Sequence, residues 1–383
     1  MIRFAPAPLD PFLSQKLRFW SFMAMVLLIY VHGFNLHPRQ LAPFTVVEEP
    51  ASLGNCLQYF LSNGLLRFRI PILFAISGYL FARADGRSPH RARIVRRLRT
   101  LGLPFLLWSA LWLAAVWAME RVPVLRQAII DAEISPFWPR QLLSQLTPGE
   151  WVNHWLILPL PFQLWFLRNL LVLNLAYPWL RAAVTRGPRI YFPVVALIWF
   201  FGIDLFIVGG EGLLFFGLGT WLALRGHDVQ APPAWLRVPI TAVLWVGAAA
   251  GLTWLAFRGQ PAFGENGPQP FAFAMIGLYR LSEVMGILTA WFGFDWLVRR
   301  AMALRWFAWL TGFSFFVYVL HVPTVNYATA LAFRFGKGIP HLSTYTYLLL
   351  PLLIVAGAVT VGAMLRRLAP GAYAVLTGGR GLG

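Results

Sequence analysis

The sequence predicts an all-α, polytopic transmembrane helical bundle of about ten spans with both termini cytoplasmic. Three observations carry this expectation. The 383 residues are 58% hydrophobic and 12% charged, with a mean hydropathy of +0.64, more apolar than a soluble globule requires. The apolar residues come in long blocks, each near the roughly 20 residues that cross a ~30 Å hydrocarbon core. Twenty-one of the 32 Lys and Arg fall in segments that would share one side of such a bundle, the asymmetry expected of cytoplasmic loops.

In chain order the expected spans are 17–35, 56–82, 101–119, 163–180, 191–208, 211–225, 238–257, 271–296, 307–328 and 345–365. Residues 1–16 form an N-terminal cytoplasmic segment without a cleavage pattern; Arg3, Lys16 and Arg18 fall on that side, and the first span reads as an uncleaved anchor. The loop after span 2 carries Arg83, Arg87, Arg91, Arg93, Arg96, Arg97 and Arg99. Segment 120–162 is the longest outside the spans. It contains Pro123, Pro136, Pro139, Pro148 and Pro159 with Trp138, Trp151 and Trp155, a composition suited to the outer interface. Arg181, Arg186, Arg189, Arg225, Arg237, Arg299, Arg300 and Arg305 return to the basic side, as do Arg366, Arg367 and Arg380. Arg39, Arg121, Arg126, Arg140, Arg258, Arg334 and Lys337 fall opposite. One transmembrane domain, 17–367, is expected, followed by a short cytoplasmic tail, 368–383. The net charge of +18 is then topology and not a nucleic-acid footprint. The single cysteine, Cys56, excludes an intrachain disulfide.

Four arginines remain within the spans: Arg67, Arg69, Arg168 and Arg280. A charge at that depth costs several kcal/mol and normally faces a protein interior or a wet cavity. Helical rise, about 1.5 Å per residue, sets the depths. His32 falls near the outer end of span 1. Arg67 and Arg69 lie in the outer half to middle of span 2, with Ser77 and Gly78 deeper. Gln163, Trp165, Arg168 and Asn169 lie in the outer half of span 4, Arg280 and Glu283 midway along span 8, and Tyr318 and His321 in the outer half of span 9. The convergence of these groups at one depth is the main functional signal. Arg67 and Arg69 stand about 200° apart on a regular helix, so one lines a site and the other pairs elsewhere. Arg280 and Glu283, three residues apart, share a face and suit an internal ion pair. Ser77-Gly78 suits close helix approach. The Arg91–Arg99 run fits lipid headgroups or a phosphorylated cytoplasmic ligand. No two of the seven histidines have metal-ligand spacing, and neither a Gly-rich phosphate loop nor a Gly-x-Ser-x-Gly elbow is present. No metal is expected.

Five segments, in order, resemble the membrane acyltransferase-3 family. They are Ser21–His32, Arg69-Ile-Pro-Ile-Leu-Phe-Ala-Ile-Ser-Gly-Tyr79, Arg96-Arg-Leu-Arg-Thr-Leu-Gly-Leu-Pro-Phe-Leu-Leu-Trp108, Leu164-Trp-Phe-Leu-Arg-Asn169 and Tyr318-Val-Leu-His321. The chain departs from the family's Arg-x10-His at the first span: Ser21 holds the arginine position, and the nearest arginine is Arg18.

The resemblance implies an acyl-CoA-dependent O-acyltransferase of the bacterial cytoplasmic (inner) membrane. It would carry an acyl group, acetyl first among the candidates, to a hydroxyl of an extracytoplasmic carbohydrate or lipid-linked glycan. No permanently bound cofactor is implied; acyl-CoA is a co-substrate, and the other partners are membrane lipids and the glycan. Under this reading His32 is the general base, Arg69 stabilises the thioester oxyanion, and Tyr318 and His321 complete or orient the site. Arg91, Arg93, Arg96, Arg97 and Arg99, with Ser77, fall to the donor. Arg67, Trp165, Arg168, Asn169, Arg280 and Glu283 fall to the acceptor. Direct transfer and an acyl-histidine route are both open. The alternative is a transporter or flippase with charges lining its path, which would call for pseudo-symmetric halves and paired broken helices; the sequence offers neither.

Overall fold

The computed structural model describes residues 9–39, 41–85, 87–134, 142–205, 207–259 and 268–381. Arg3, Pro136, Trp138, Pro139 and Arg140 lie outside the described residues. The chain is 79% helical, with almost no sheet among the described residues, and seven helical stretches among them are long and apolar enough to cross a membrane. It is a multi-pass helical bundle, as the apolar blocks require.

Helix α1, Pro11–His32, starts where Asp10 accepts the Leu13 amide and ends at Gly33, whose N–H returns to the Ile29 carbonyl. The second stretch, Leu53–Ala82, changes character midway. Helix α2, Leu53–Tyr59, passes into a π-turn at Phe60–Gly64 and a 3₁₀ turn at Leu65–Phe68 before α3, Arg69–Ala82. The basic run does not form a loop. It makes α4, His90–Arg97, which continues through a π-turn, Leu98–Gly102, into α5, Leu103–Met119. Arginine is a good helix former, and the first helix-breaking residue within the run is Gly102, which the π-turn absorbs. Two short helices, α6 (Pro123–Ala132) and α7 (Pro148–Leu156), pack over the end of α5 with Tyr327 and Ala330. Buried Glu120 ties this cap down by accepting the Leu143 and Ser144 amides.

Three expected spans, 163–180, 191–208 and 211–225, are built from shorter pieces: α8 (Trp165–Leu175), α9 (Tyr177–Arg186), α10 (Pro188–Phe200) and α11 (Gly210–Arg225). The apolar block 191–208 is not one helix. It stops at Phe200, turns at Gly202 with φ +65°, and forms a two-stranded hairpin pairing Asp204–Leu205 with Val208–Gly209. Thirteen residues of α10 reach only about 20 Å. The remaining long helices are α12 (Val238–Trp254), α13 (Pro268–Gly293), α16 (Ser314–Phe335) and α17 (Leu342–Leu368). Short α14 (Asp295–Ala303) and α15 (Arg305–Leu310) join α13 to α16.

Packing pairs α3 with α11, α12 with α13, and α16 with α1 and α17. The α3–α11 contact depends on two glycines. A Cβ on Gly78 would strike the backbone of Phe216, and one on Gly219 the backbone of Ala75 and Tyr79. This is the close approach the Ser77-Gly78 pair allows. The C-terminal segment turns back into the bundle as α18, Pro370–Thr377. Tyr373 is fully buried, stacked on Phe316 with ring centroids 5.3 Å apart, and Trp108 donates to the Leu376 carbonyl at 3.0 Å.

Candidate active site

The two histidines expected at one depth meet. Their rings stack with centroids 5.4 Å apart and planes 26° from parallel. Each is delivered by a helix irregularity. His32 is the last residue of α1, and Gly33 lets the chain end pass tightly beside Val325 of α16. His321 immediately precedes a break in α16: Val322 is extended at φ −112°, ψ 134°, and Pro323 follows. Proline has no N–H to donate to the Val319 carbonyl. Trp112 Nε1 (2.9 Å) and Gln163 Nε2 (3.5 Å) supply donors there, and Gln163 Nε2 also reaches the Val322 carbonyl at 2.9 Å.

His321 is fully buried, and its tautomer follows from its neighbours. Nδ1 lies 2.6 Å from the Tyr318 carbonyl and 3.2 Å from that of Val317. Both are acceptors, so Nδ1 carries the proton and Nε2 a lone pair. That Nε2 has no hydrogen-bond partner among the described residues. A buried nitrogen left so is costly in a purely structural residue and suits a base awaiting its proton. His32 is partly open and takes the edge of Phe162 at 4.8 Å.

Arg69 is 3% exposed. Its Nη1 donates to the Leu66 carbonyl at 2.8 Å, Nε is unpartnered, and no carboxylate lies within ion-pair distance among the described residues. The fields of Arg69 and Arg67 both reach His32, and that of Arg69 reaches His321. Glu211, Tyr279 and Glu283 also lie within reach of its charge. Arg280 pairs with Glu283 at 2.9 Å, the internal ion pair its spacing allows, and lies over Trp199 at 4.7 Å. Arg67 serves a different neighbour. It donates to Asn63 at 2.7 Å and to the Leu41 carbonyl at 3.4 Å, and Asn63 and Tyr59 continue that network to the carbonyls of Ala42 and Thr45. The two arginines point to separate partners, as helix geometry requires.

Other residues placed here by depth bond elsewhere. Tyr318 donates to the Gln163 carbonyl at 2.6 Å, fixing the start of α8 and not presenting its hydroxyl to the histidines. Arg168 donates to the Ile157 carbonyl. Asn169, with its amide oriented to satisfy its neighbours, donates to the Ile207 carbonyl at 2.6 Å. Trp165 lies against Phe74 and Phe166. Arg18 donates to Ala308 and Thr311, fourteen residues or about 21 Å along α1 from His32, so it does not stand in at the histidine pair.

At the arginine-rich end a cavity of about 570 Å³ is lined by Leu80, Phe81, Arg93, Arg96, Arg97 and Thr100, among others, and by Gly378, Gly379 and Arg380. The five arginines of the run are not equivalent. Arg93 is buried, paired with Asp85 at 2.7 Å and bonded to the Phe81 carbonyl, and so holds the fold. Arg96 and Arg97 line the cavity; Arg91 and Arg99 do not. Ser77 is not among the lining residues. Sequence reasoning missed Arg380 and Phe162 and gave Gln163 a depth but no role. Gln163 had a signal in its depth, whereas a Gly-Gly-Arg-Gly terminus reads as a free tail.

A family model described as an acyltransferase domain matches residues 14–367. The chain is similar to the succinoglycan biosynthesis protein ExoH of Rhizobium meliloti (strain 1021), 28% identical over 382 residues, 97% of this chain and 94% of the relative. No solved structure matches. With nearly its whole length inside that match, this multi-pass helical chain belongs to the acyltransferase-3 family of membrane acyltransferases.

Proposed function

We propose that the protein transfers an acyl group from cytoplasmic acyl-CoA to a hydroxyl of an extracytoplasmic carbohydrate or lipid-linked glycan, acting in the bacterial cytoplasmic membrane. Acetyl is the first donor to test and succinyl the second. The stacked His32–His321 pair, with one basic nitrogen unpartnered among the described residues and the charge of Arg69 reaching both rings, is the observation that carries this reading. The relative's name, which ties it to a polysaccharide, supports a glycan acceptor.

In this topology the arginine-rich end and both termini are cytoplasmic, and the chain crosses ten times, the shorter helices α8–α11 supplying three crossings. The nucleotide of acyl-CoA stays in the arginine-lined cavity and its thioester arm runs into the bundle. Helix α16 supports such a path. Phe315 contacts Arg380 at the cavity, and His321 stands six residues further on, about 9 Å. The acceptor hydroxyl attacks the thioester carbonyl as His32, the more open of the pair, takes its proton. Arg69 offsets the oxyanion charge. As the tetrahedral intermediate collapses the C–S bond breaks, the new ester C–O bond stays, and the proton passes through the histidine pair to the leaving thiolate. Arg67 and the Arg280–Glu283 pair hold the surrounding loops and helices.

The test is transfer in proteoliposomes loaded with acyl-CoA on the cytoplasmic face, scored by mass spectrometry of the acceptor glycan beside envelope glycans from cells with and without the gene. His32→Ala is expected to abolish the added acyl mass while leaving the protein folded. Normal acylation by that variant would sink the role of the pair.

A further inference from the structure

The C-terminal return has no part in the chemistry described so far, yet it completes the arginine-lined cavity. Helix α18 ends at Gly378, which has φ +62° and lies so close to the Thr100 backbone that a Cβ there would overlap it. Only glycine suits that position. The turn carries Arg380 inward, its guanidinium 4.9 Å from the Phe315 ring centroid. Among the described residues its two hydrogen bonds both use Nη1, which donates to the carbonyls of Thr100 and Thr377, each at 2.8 Å. The Nε–Nη2 edge, which can grip a phosphate or carboxylate bidentately, has no hydrogen-bond partner among the described residues.

The charge balance of the cavity is unusual. Arg93 has Asp85 as its counter-ion. Arg96, Arg97 and Arg380 have no carboxylate within ion-pair distance among the described residues. Arg97 and Arg380 lie close enough to repel one another, and burial together with the Arg97 charge holds Arg380 down to about 10. Like charges gathered in a half-buried space destabilise the protein until an anion enters between them.

We propose that Arg380, with Arg97, binds the phosphate esters of the acyl-CoA donor, so that the C-terminal return is part of the donor site. This rests on the acyl-CoA reading above. Phosphate esters also occur in anionic lipid headgroups, and the test separates the two sources.

Purified full-length protein is placed in nanodiscs of phosphatidylcholine alone or with phosphatidylglycerol, and binding of CoA and of adenosine 3′,5′-bisphosphate is measured by calorimetry. Arg380→Met is expected to weaken both ligands about tenfold or more, the range of a lost charge-assisted bond, in either lipid. Arg380→Lys should recover part of the loss, and Arg367→Gln, an exposed arginine outside the cavity, should bind like wild type. Melting curves without ligand identify any variant that fails to fold. Deletion of residues 378–383 gives a second variant, expected to lose CoA binding while α18 still packs. CoA binding unchanged in both variants would overturn the role of Arg380. So would a loss confined to phosphatidylglycerol binding. Absence of CoA binding by the wild type would overturn the acyl-CoA reading and this inference together.

Discussion

His321→Asn separates the two nitrogens of one ring. Asparagine reproduces the donor at Nδ1, so the bond to the Tyr318 carbonyl, 2.6 Å in the native chain, survives and no new orphan carbonyl is made. The Nε2 lone pair, through which the proton taken by His32 passes on, is lost. Because His321 is fully buried, the smaller side chain leaves part of the ring's volume empty, a cost of about 1–2 kcal/mol by comparison with core truncations. The catalytic cost is larger. Removing a positioned proton-transfer group lowers transfer by about 10²–10⁴-fold, or about 3–5 kcal/mol of barrier. The expected result is a folded protein that melts a few degrees lower, binds acyl-CoA normally and has kcat lowered at least a hundredfold. Thermal melting in detergent and single-turnover transfer from labelled acyl-CoA measure the two effects separately. A His321→Asn protein with kcat within a fewfold of wild type would refute the inference from tautomer to function.

Two further outcomes concern stability. Lys16 is fully enclosed and paired with Asp295 at 2.7 Å, whereas the Asp295 side chain is 32% exposed. Asp295→Asn strands a buried ammonium and should cost about 3 kcal/mol. Lys16→Met leaves a carboxylate that water can still reach and should cost about 1 kcal/mol; the opposite order of melting temperatures would refute this. The cap over α5 should also loosen in acid. Burial holds His154 below its ordinary 6.5, and its bond to the Leu158 carbonyl opposes that shift. The unfolded chain therefore binds a proton near pH 6.5 that the folded one refuses, so stability falls as pH drops from about 7 to 5. Hydrogen exchange across residues 148–162 should quicken over that interval, and His154→Asn should flatten the dependence. Exchange independent of pH in the native chain would count against it.

Apolar runs made most of the fold legible, because bilayer-length blocks such as 345–365 admit few other structures. The block 191–208 misled because its turn is hidden: Gly202 and Asp204 interrupt a stretch otherwise as hydrophobic as a helix. The site was half legible for a related reason. Residue position along a span gives height, and height alone put His32 and His321, whose rings stack in the structure, at one level. It says nothing about azimuth, which helix packing decides, so Arg168 and Asn169 shared the depth and yet bond to the flanking Ile157 and Ile207. The arginine run was legible as a cluster, but not the diversion of Arg93 to Asp85, because that pairing depends on how α4 folds back beside α3.

The glycine crossing between α3 and α11 has a mechanical consequence. With backbones in contact at Gly78 and Gly219, neither helix can slip a residue without collision, so the two behave as a single stiff bracket. Arg69 opens one limb of that bracket and Glu211 lies in the first turn of the other. Their mutual placement is therefore preset before any substrate arrives. The break in α16 after His321 lies outside that bracket, so α16 can give way to an acyl chain while Arg69 and Glu211 keep their places.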